Sequence, residues 1–121
     1  MGYKDSANSR ENVAKQIKKF GDLGLKVHIT ELDVKLDNNS DWDYAKQAEI
    51  YRDFLAACFV DNPGVCTAFL TWGVSDAHTW LGTAKHPLPF NERYVKKQSY
   101  NYMLDLLNEQ VGQDENMTFL Q

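Results

Sequence analysis

Leu25-Lys26-Val27-His28-Ile29-Thr30-Glu31-Leu32-Asp33-Val34 decides the fold class. The stretch is short, rich in β-branched residues and apolar on both faces, the pattern of a strand buried in a parallel sheet. On its N-terminal side, Val13, Ile17 and Phe20 recur at helical spacing from about Ser9 to Asp22. Ser9 is the predicted N-cap. Gly21 and Gly24 are stop signals, with Gly24 suited to the left-handed cap position. On the C-terminal side, residues 35–42 read as a polar loop. A second helix is predicted from about Asp43 to Val60, with Ala48, Tyr51, Leu55 and Phe59 on one stripe. Asp61-Asn62-Pro63-Gly64 signals a turn. Val65 to Trp72 repeats the buried-strand pattern. A long loop from Gly73 to about Asn91 precedes a third helix, from about Glu92 to Asn108, carrying Val95, Tyr102, Met103, Leu106 and Leu107. Residues 1–8 read as a polar lead-in and residues 109–121 as a polar, frayed tail.

Strands alternating with helices predict a parallel α/β arrangement. Two such strands alone leave long unpaired edges. The chain therefore reads as a piece of a larger sheet, or as one that a partner completes. Its 121 residues make one ordinary domain, and 43% hydrophobic with 25% charged residues suits a folded core. A net charge of −4 argues against an electrostatic nucleic-acid binder. No apolar run approaches the roughly 20 residues that span a bilayer, and Met1 to Arg10 lacks the apolar core of a signal peptide. Cys58 and Cys66 allow one local disulfide or two free thiols. With His28, His78 and His86 off zinc-finger spacing, no metal site is expected. Acidic clusters such as Asp37 and Asp41 usually hold only water rather than calcium.

Glu31 and Asp33 stand at the C-terminal end of the first strand, and their i, i+2 spacing puts both carboxylates on one face. Alternation places His28 on the opposite face. In α/β barrels, chemistry gathers at this end of the strands. The plainer reading is a solvated strand end or a helix-capping acid. Trp72 ends the second strand and Trp80 lies in the loop beyond it. Aromatic faces beside carboxylates suit a sugar ring, apolar on its faces and polar at its rim. The plainer reading is two core tryptophans.

These residues also carry a family resemblance. Ile29-Thr30-Glu31-Leu32-Asp33-Val34 resembles the nucleophile strand of glycoside hydrolase family 10, the retaining endo-β-1,4-xylanases. Trp72 to Trp80, with Asp76 between, resembles that family's eighth-strand motif. Pro87-Leu88 with Phe90, then Tyr94, Lys97 and Tyr100, resembles its closing helix, and Phe20 to Leu25 its approach to strand seven. The resemblance spans residues 9–108. It implies the C-terminal part of a (β/α)8 barrel, helix six to helix eight, incomplete as a single chain, since such barrels take about 250 residues. By resemblance, Glu31 matches the nucleophile and Asp33 an acid that orients a strand-six histidine. Trp72 matches the tryptophan flooring the subsite next to the scissile bond, and Trp80 the one that closes over it. Cys58 and Cys66 resemble a disulfide pair seen in many members. The implied ligand is xylan or a xylo-oligosaccharide, with no cofactor, metal, nucleic acid or membrane. The implied partner is the N-terminal part of the barrel, or a second copy, and the implied parent enzyme is extracellular.

The chain departs from the family in what it lacks. The acid/base glutamate belongs in a Trp-x-x-x-Asn-Glu context after strand four, and that segment and the strand-six histidine are absent. Gln98 and Ser99 stand where the family usually has proline and alanine. A retaining glycosidase needs two carboxyls about 5–5.5 Å apart across the bond. Asp33, on the strand and face of Glu31, cannot reach the far side, and a loop histidine such as His78 is usually just solvated. The chain alone is therefore expected to be inactive or nearly so. The rival readings are a non-catalytic xylan-binding fragment, a fragment without independent function, and another (β/α)8 glycosidase with its nucleophile after strand seven.

Overall fold

The computed structural model describes residues 9–113. The elements run α1 (Arg10–Asp22), β1 (Val27–Leu32), α2 (Asp41–Phe59), β2 (Cys66–Thr71), one 3-10 turn (Thr83–Lys85) and α3 (Gln98–Gln113). β1 and β2 are parallel neighbours in a two-stranded sheet. The lead-in 1–8 and the tail beyond residue 113 lie outside the described residues.

Local chemistry sets the element ends. α1 begins at Ser9, whose hydroxyl accepts from the Asn12 amide at 3.3 Å. It ends before Gly24, which takes the left-handed φ of 81° at no steric cost. α2 starts at Asp41, two residues earlier than its apolar pattern indicates, because Ser40 and Asp43 form a capping box. The Asp43 amide donates to Ser40 Oγ (3.1 Å) and the Ser40 amide to Asp43 Oδ2 (3.3 Å). After α2, buried Asn62 donates its side-chain amide to the carbonyls of Ala14 (3.1 Å) and Ala57 (2.9 Å), tying α1 to the end of α2. A Cys58–Cys66 disulfide closes the same corner.

α3 departs from its predicted span at both ends. It starts at Gln98 rather than Glu92. Asn91 Oδ1 accepts from the amides of Arg93 (2.9 Å) and Val95 (3.0 Å), an Asx-type turn that competes with helical bonding. Tyr94 sits at φ 59°, and Phe90 bridges to Lys96. Val95, placed on the helical stripe by its spacing, is exposed. At the other end the helix continues to Gln113, so residues 109–113 are helical rather than frayed.

The core lies on one face of the sheet. Ile17 packs with Ala57 and the disulfide. Leu32, Val34, Ile50 and Tyr51 form a second cluster, and Leu55, Ala56 and Leu106 a third. Both strands read as buried on both faces, but they are covered on one. His28, Thr30, Thr67 and Leu70 are exposed, because no further layer of the described residues lies over that face.

The strand register carries the detail that matters most for the site. Ile29 pairs with Phe69 and Leu32 with Thr71, so β1 holds one residue more than β2 between those pairs. Such a bulge breaks the alternation. Val27 and Ile29 pack on the helices, as do Leu32 and Val34 after the bulge. His28, Thr30 and Glu31 all lie exposed. The expectation that His28 and Glu31 face opposite ways is thereby corrected, since the extra residue turns Glu31 to the open side.

Ser99, in the first turn of α3, is wholly buried, and its hydroxyl has no hydrogen-bond partner among the described residues. A buried unmet hydroxyl costs about 1–3 kcal/mol. Ser99→Ala is therefore expected to raise the melting temperature by about 4 °C. A lower melting temperature in calorimetry would contradict that account.

Candidate active site

The site gathers where β1 and β2 end. The Trp72 amide donates to the Leu32 carbonyl at 3.0 Å, extending the ladder by one step. Glu31 on β1 and Trp72 after β2 thus occupy neighbouring strand ends. Glu31 is exposed, and its carboxylate makes no hydrogen bond or ion pair with any described residue. Gly73, at φ 119°, turns the chain away from β2, and a Cβ there would lie 2.9 Å from Leu88 Cδ1. Only glycine fits both demands.

Trp80 returns to the same end. Its indole N–H donates to Asp33 Oδ2 at 2.6 Å. Trp72 is 50% and Trp80 71% exposed. Glu31, Asp33, Trp72 and Trp80 therefore collect at one end of the sheet, two carboxylates beside two open indole surfaces. His78 is exposed, and its ring makes no hydrogen bond among the described residues. His28 lies further back on β1 and meets Thr67 Oγ1 at 3.1 Å.

The loop carrying Trp80 is closed at its neck. The Asp76 amide donates to the Phe90 carbonyl (2.9 Å), and the Phe90 amide to the Val74 carbonyl (3.1 Å). Buried Asp76 accepts the Leu88 amide at Oδ1 (2.8 Å) and the Lys97 ammonium at Oδ2 (2.9 Å). Lys97 also donates to the carbonyls of His86 (2.8 Å) and Leu88 (2.7 Å). Burial pulls the Lys97 ammonium below the usual lysine range, and the bond to Asp76 pulls the other way. Asp76, His86 and Glu92 bring ligand atoms within 4.8 Å of one another. The Lys97 ammonium already supplies the positive charge there. Asp37 and Asp41 belong to no such group among the described residues.

Two residues of α2 hold the far side of the loop. Gln47 Nε2 donates to the carbonyls of Val34 (2.8 Å) and His86 (2.6 Å). Tyr51 donates its hydroxyl to the Pro87 carbonyl at 2.5 Å, and burial pushes its phenol well above the usual tyrosine range. The sequence showed Tyr51 only as part of an apolar stripe and gave Gln47 no role. A glutamine on the buried side of a helix was the available signal.

The model of glycosyl hydrolase family 10 matches residues 1–106. The chain belongs to that family. Endo-1,4-beta-xylanase B of Neocallimastix patriciarum is 43% identical over 91 residues, which are 75% of this chain and 10% of that protein. Native xylanase 10B from Thermotoga maritima superposes with a TM-score of 0.78 at 28% identity, over 88% of this chain and 34% of that one. Xylanase 10B from Thermotoga petrophila RKU-1, solved in complex with xylobiose, gives 0.75 at 30% identity, over 84% and 32%. This family 10 chain therefore spans about a third of the solved barrels and about a tenth of the Neocallimastix protein. Its α/β unit is the C-terminal part of a (β/α)8 barrel, which accounts for a parallel sheet of two strands with one face uncovered.

Proposed function

We propose that this chain supplies the nucleophile side of a retaining endo-β-1,4-xylanase site that the N-terminal part of the barrel completes. The reading rests on one observation: Glu31, turned to the open face by the bulge, stands at a strand end beside Trp72. The Glu31 carboxylate attacks the anomeric carbon of a bound xylosyl unit and forms a glycosyl-enzyme. A carboxylic acid from outside this chain gives its proton to the leaving oxygen, then takes one from water as the ester is hydrolysed. Trp72 and Trp80 stack on the sugar faces. Asp33 holds Trp80 here, and in the completed barrel it also orients a strand-six histidine. No metal or organic cofactor takes part.

The uncovered surface supports completion by further barrel elements. Leu70 on the open face is half exposed, and Leu55, Phe59, Phe69, Met103, Leu104 and Leu107 line an apolar groove between α2 and α3. The Cys58–Cys66 disulfide suits an oxidising, extracellular setting. Among the described residues, no helix is long and apolar enough to cross a membrane.

The test is reducing-sugar release from xylan by the chain alone, and by the chain co-expressed with the first six strands of a family 10 barrel. Activity only in the second case is expected. Activity of the chain alone would overturn the outside acid/base, and inactivity of a soluble, assembled complex would overturn the xylanase reading. The exposure of both tryptophans favours a second reading, in which the chain binds xylan without cleaving it. Under either reading, Trp72→Ala and Trp80→Ala are each expected to weaken xylohexaose binding by at least about tenfold. Unchanged titration curves for both would remove the tryptophans from the site.

A further inference from the structure

The sugar-facing residues are few, but a densely bonded, buried ion pair lies behind them. Asp76 is 1% and Lys97 8% exposed. Residues 75–90 form a loop whose ends meet, since Ser75 and Phe90 bridge to one another. Closed loops of this length hold their shape through their own side chains. Here the binding is polar. Asp76 ties the outgoing strand of the neck to the Leu88 amide on the returning one. Lys97, at the start of α3, joins Asp76 to the carbonyls of His86 and Leu88. Three acceptors take the three protons of one ammonium. The Tyr44 ring lies 5.4 Å from Lys97 Nζ, and His86 Nδ1 lies 3.8 Å from Asp76 Oδ2, so the pair is enclosed on the α2 side as well.

Trp80 is four residues beyond Asp76, on the part of the loop that this neck presents. Among the described residues its indole has one hydrogen bond, to Asp33. A ring that remains 71% exposed is not positioned by packing. Its place depends on the loop beneath it.

We propose that Asp76 and Lys97 are positioning residues for Trp80, a buried ion pair that clamps the 75–90 loop so that the indole stays over Asp33 at the sugar-binding end of the sheet. The sugar part of this statement rests on the function proposed above, whereas the geometric part does not. Neither residue touches ligand. Without the ammonium, buried Asp76 keeps only His86, at 3.8 Å, facing its carboxylate among the described residues, and a buried carboxylate stripped of its bonded cation is a state that proteins avoid by moving the group to water. Its departure releases the Leu88 amide and loosens the returning side of the loop. Trp80 then loses a fixed approach to Asp33.

The test uses the whole chain. Trp42, Trp72 and Trp80 give three indole N–H signals in a ¹H–¹⁵N spectrum, assigned by single Trp→Phe replacements. Lys97→Met keeps most of the stem and removes the charge. It is expected to leave the far-ultraviolet circular dichroism and the Trp42 signal in place, and to shift the Trp80 signal to that of a free indole. Xylohexaose affinity should fall by at least about tenfold, as displacement of a binding group by an ångström does. Lys97→Arg keeps the charge and is expected to retain the Trp80 signal of the wild type.

An unmoved Trp80 signal in folded Lys97→Met overturns the proposal. So does unfolding of both variants at 10 °C, because the pair would then govern the whole fold rather than the loop. If the wild-type chain does not bind xylohexaose, the sugar-binding reading fails, and the Trp80 signal still decides the clamp.

Discussion

Glu31→Gln is expected to lower xylan hydrolysis by the completed barrel about ten-thousandfold or more, in line with losses seen when an enzyme's nucleophile is removed. The substitution keeps shape and removes the charge. A neutral amide does not attack the anomeric carbon, so no glycosyl-enzyme forms. Glu31 makes no hydrogen bond or ion pair with any described residue, so its loss breaks none there, and the melting temperature should hold. Xylohexaose binding should also hold, because Trp72 and Trp80 are untouched. A kcat above one tenth of the wild-type value would remove Glu31 from the nucleophile role. Asp33→Asn provides the contrast. It retains an acceptor for the Trp80 indole but not the charge, and its loss of rate is expected to be the smaller of the two.

The second large effect concerns stability. Cys58 and Cys66 are eight residues apart and wholly or almost wholly buried. In the chain-entropy picture, a cross-link closing a loop this short stabilises by about 2.5 kcal/mol. Replacing both by serine should therefore lower the melting temperature by about 10 °C. Burying two unmet hydroxyls adds to that loss, so Cys58→Ala/Cys66→Ala is the cleaner variant. The bridge joins the end of α2 to the start of β2, where Ile17 and Ala57 pack around it. The damage should spread to α1, read as faster amide exchange around Val13 and Ile17. An alanine variant melting with the wild type would mean the bridge leaves the unfolded chain as free as before.

Most of the fold was legible because its signals are local. The β-branched run Val27–Leu32, the cap at Ser9 and the turn at Asp61–Gly64 act within a few residues. The misread features depend on non-local competition. Asn91 offers two amides a side-chain acceptor and so delays α3 by a turn and a half, although Val95 and Tyr102 keep helical spacing. The bulge in β1 is a property of its pairing with β2, and Thr30-Glu31 carries no mark of it. The site was legible in its residue types but not in its bonds. Trp80 meets Asp33 across 47 positions of sequence, and Gln47 meets His86 across 39. Neither separation has a periodicity to betray it. Strand burial was overestimated for another reason, since apolar faces show what a sheet is built to meet, not what covers it in this chain.

The extra residue in β1 has a consequence for anyone recombining such barrels. A strand transplanted between relatives is usually matched by its hydrophobic letters, with length treated as adjustable at the loops. In β1 the register past Ile29 encodes which way the acid points. A transplanted β1 that paired residue for residue onward from Ile29–Phe69 would keep composition, charge and predicted strand intact, yet deliver Glu31 into the oily layer against α2. Swapped segments should therefore be aligned on the Ile29–Phe69 and Leu32–Thr71 pairs. A library built on that rule should tolerate wide substitution in β1 provided both pairs are kept.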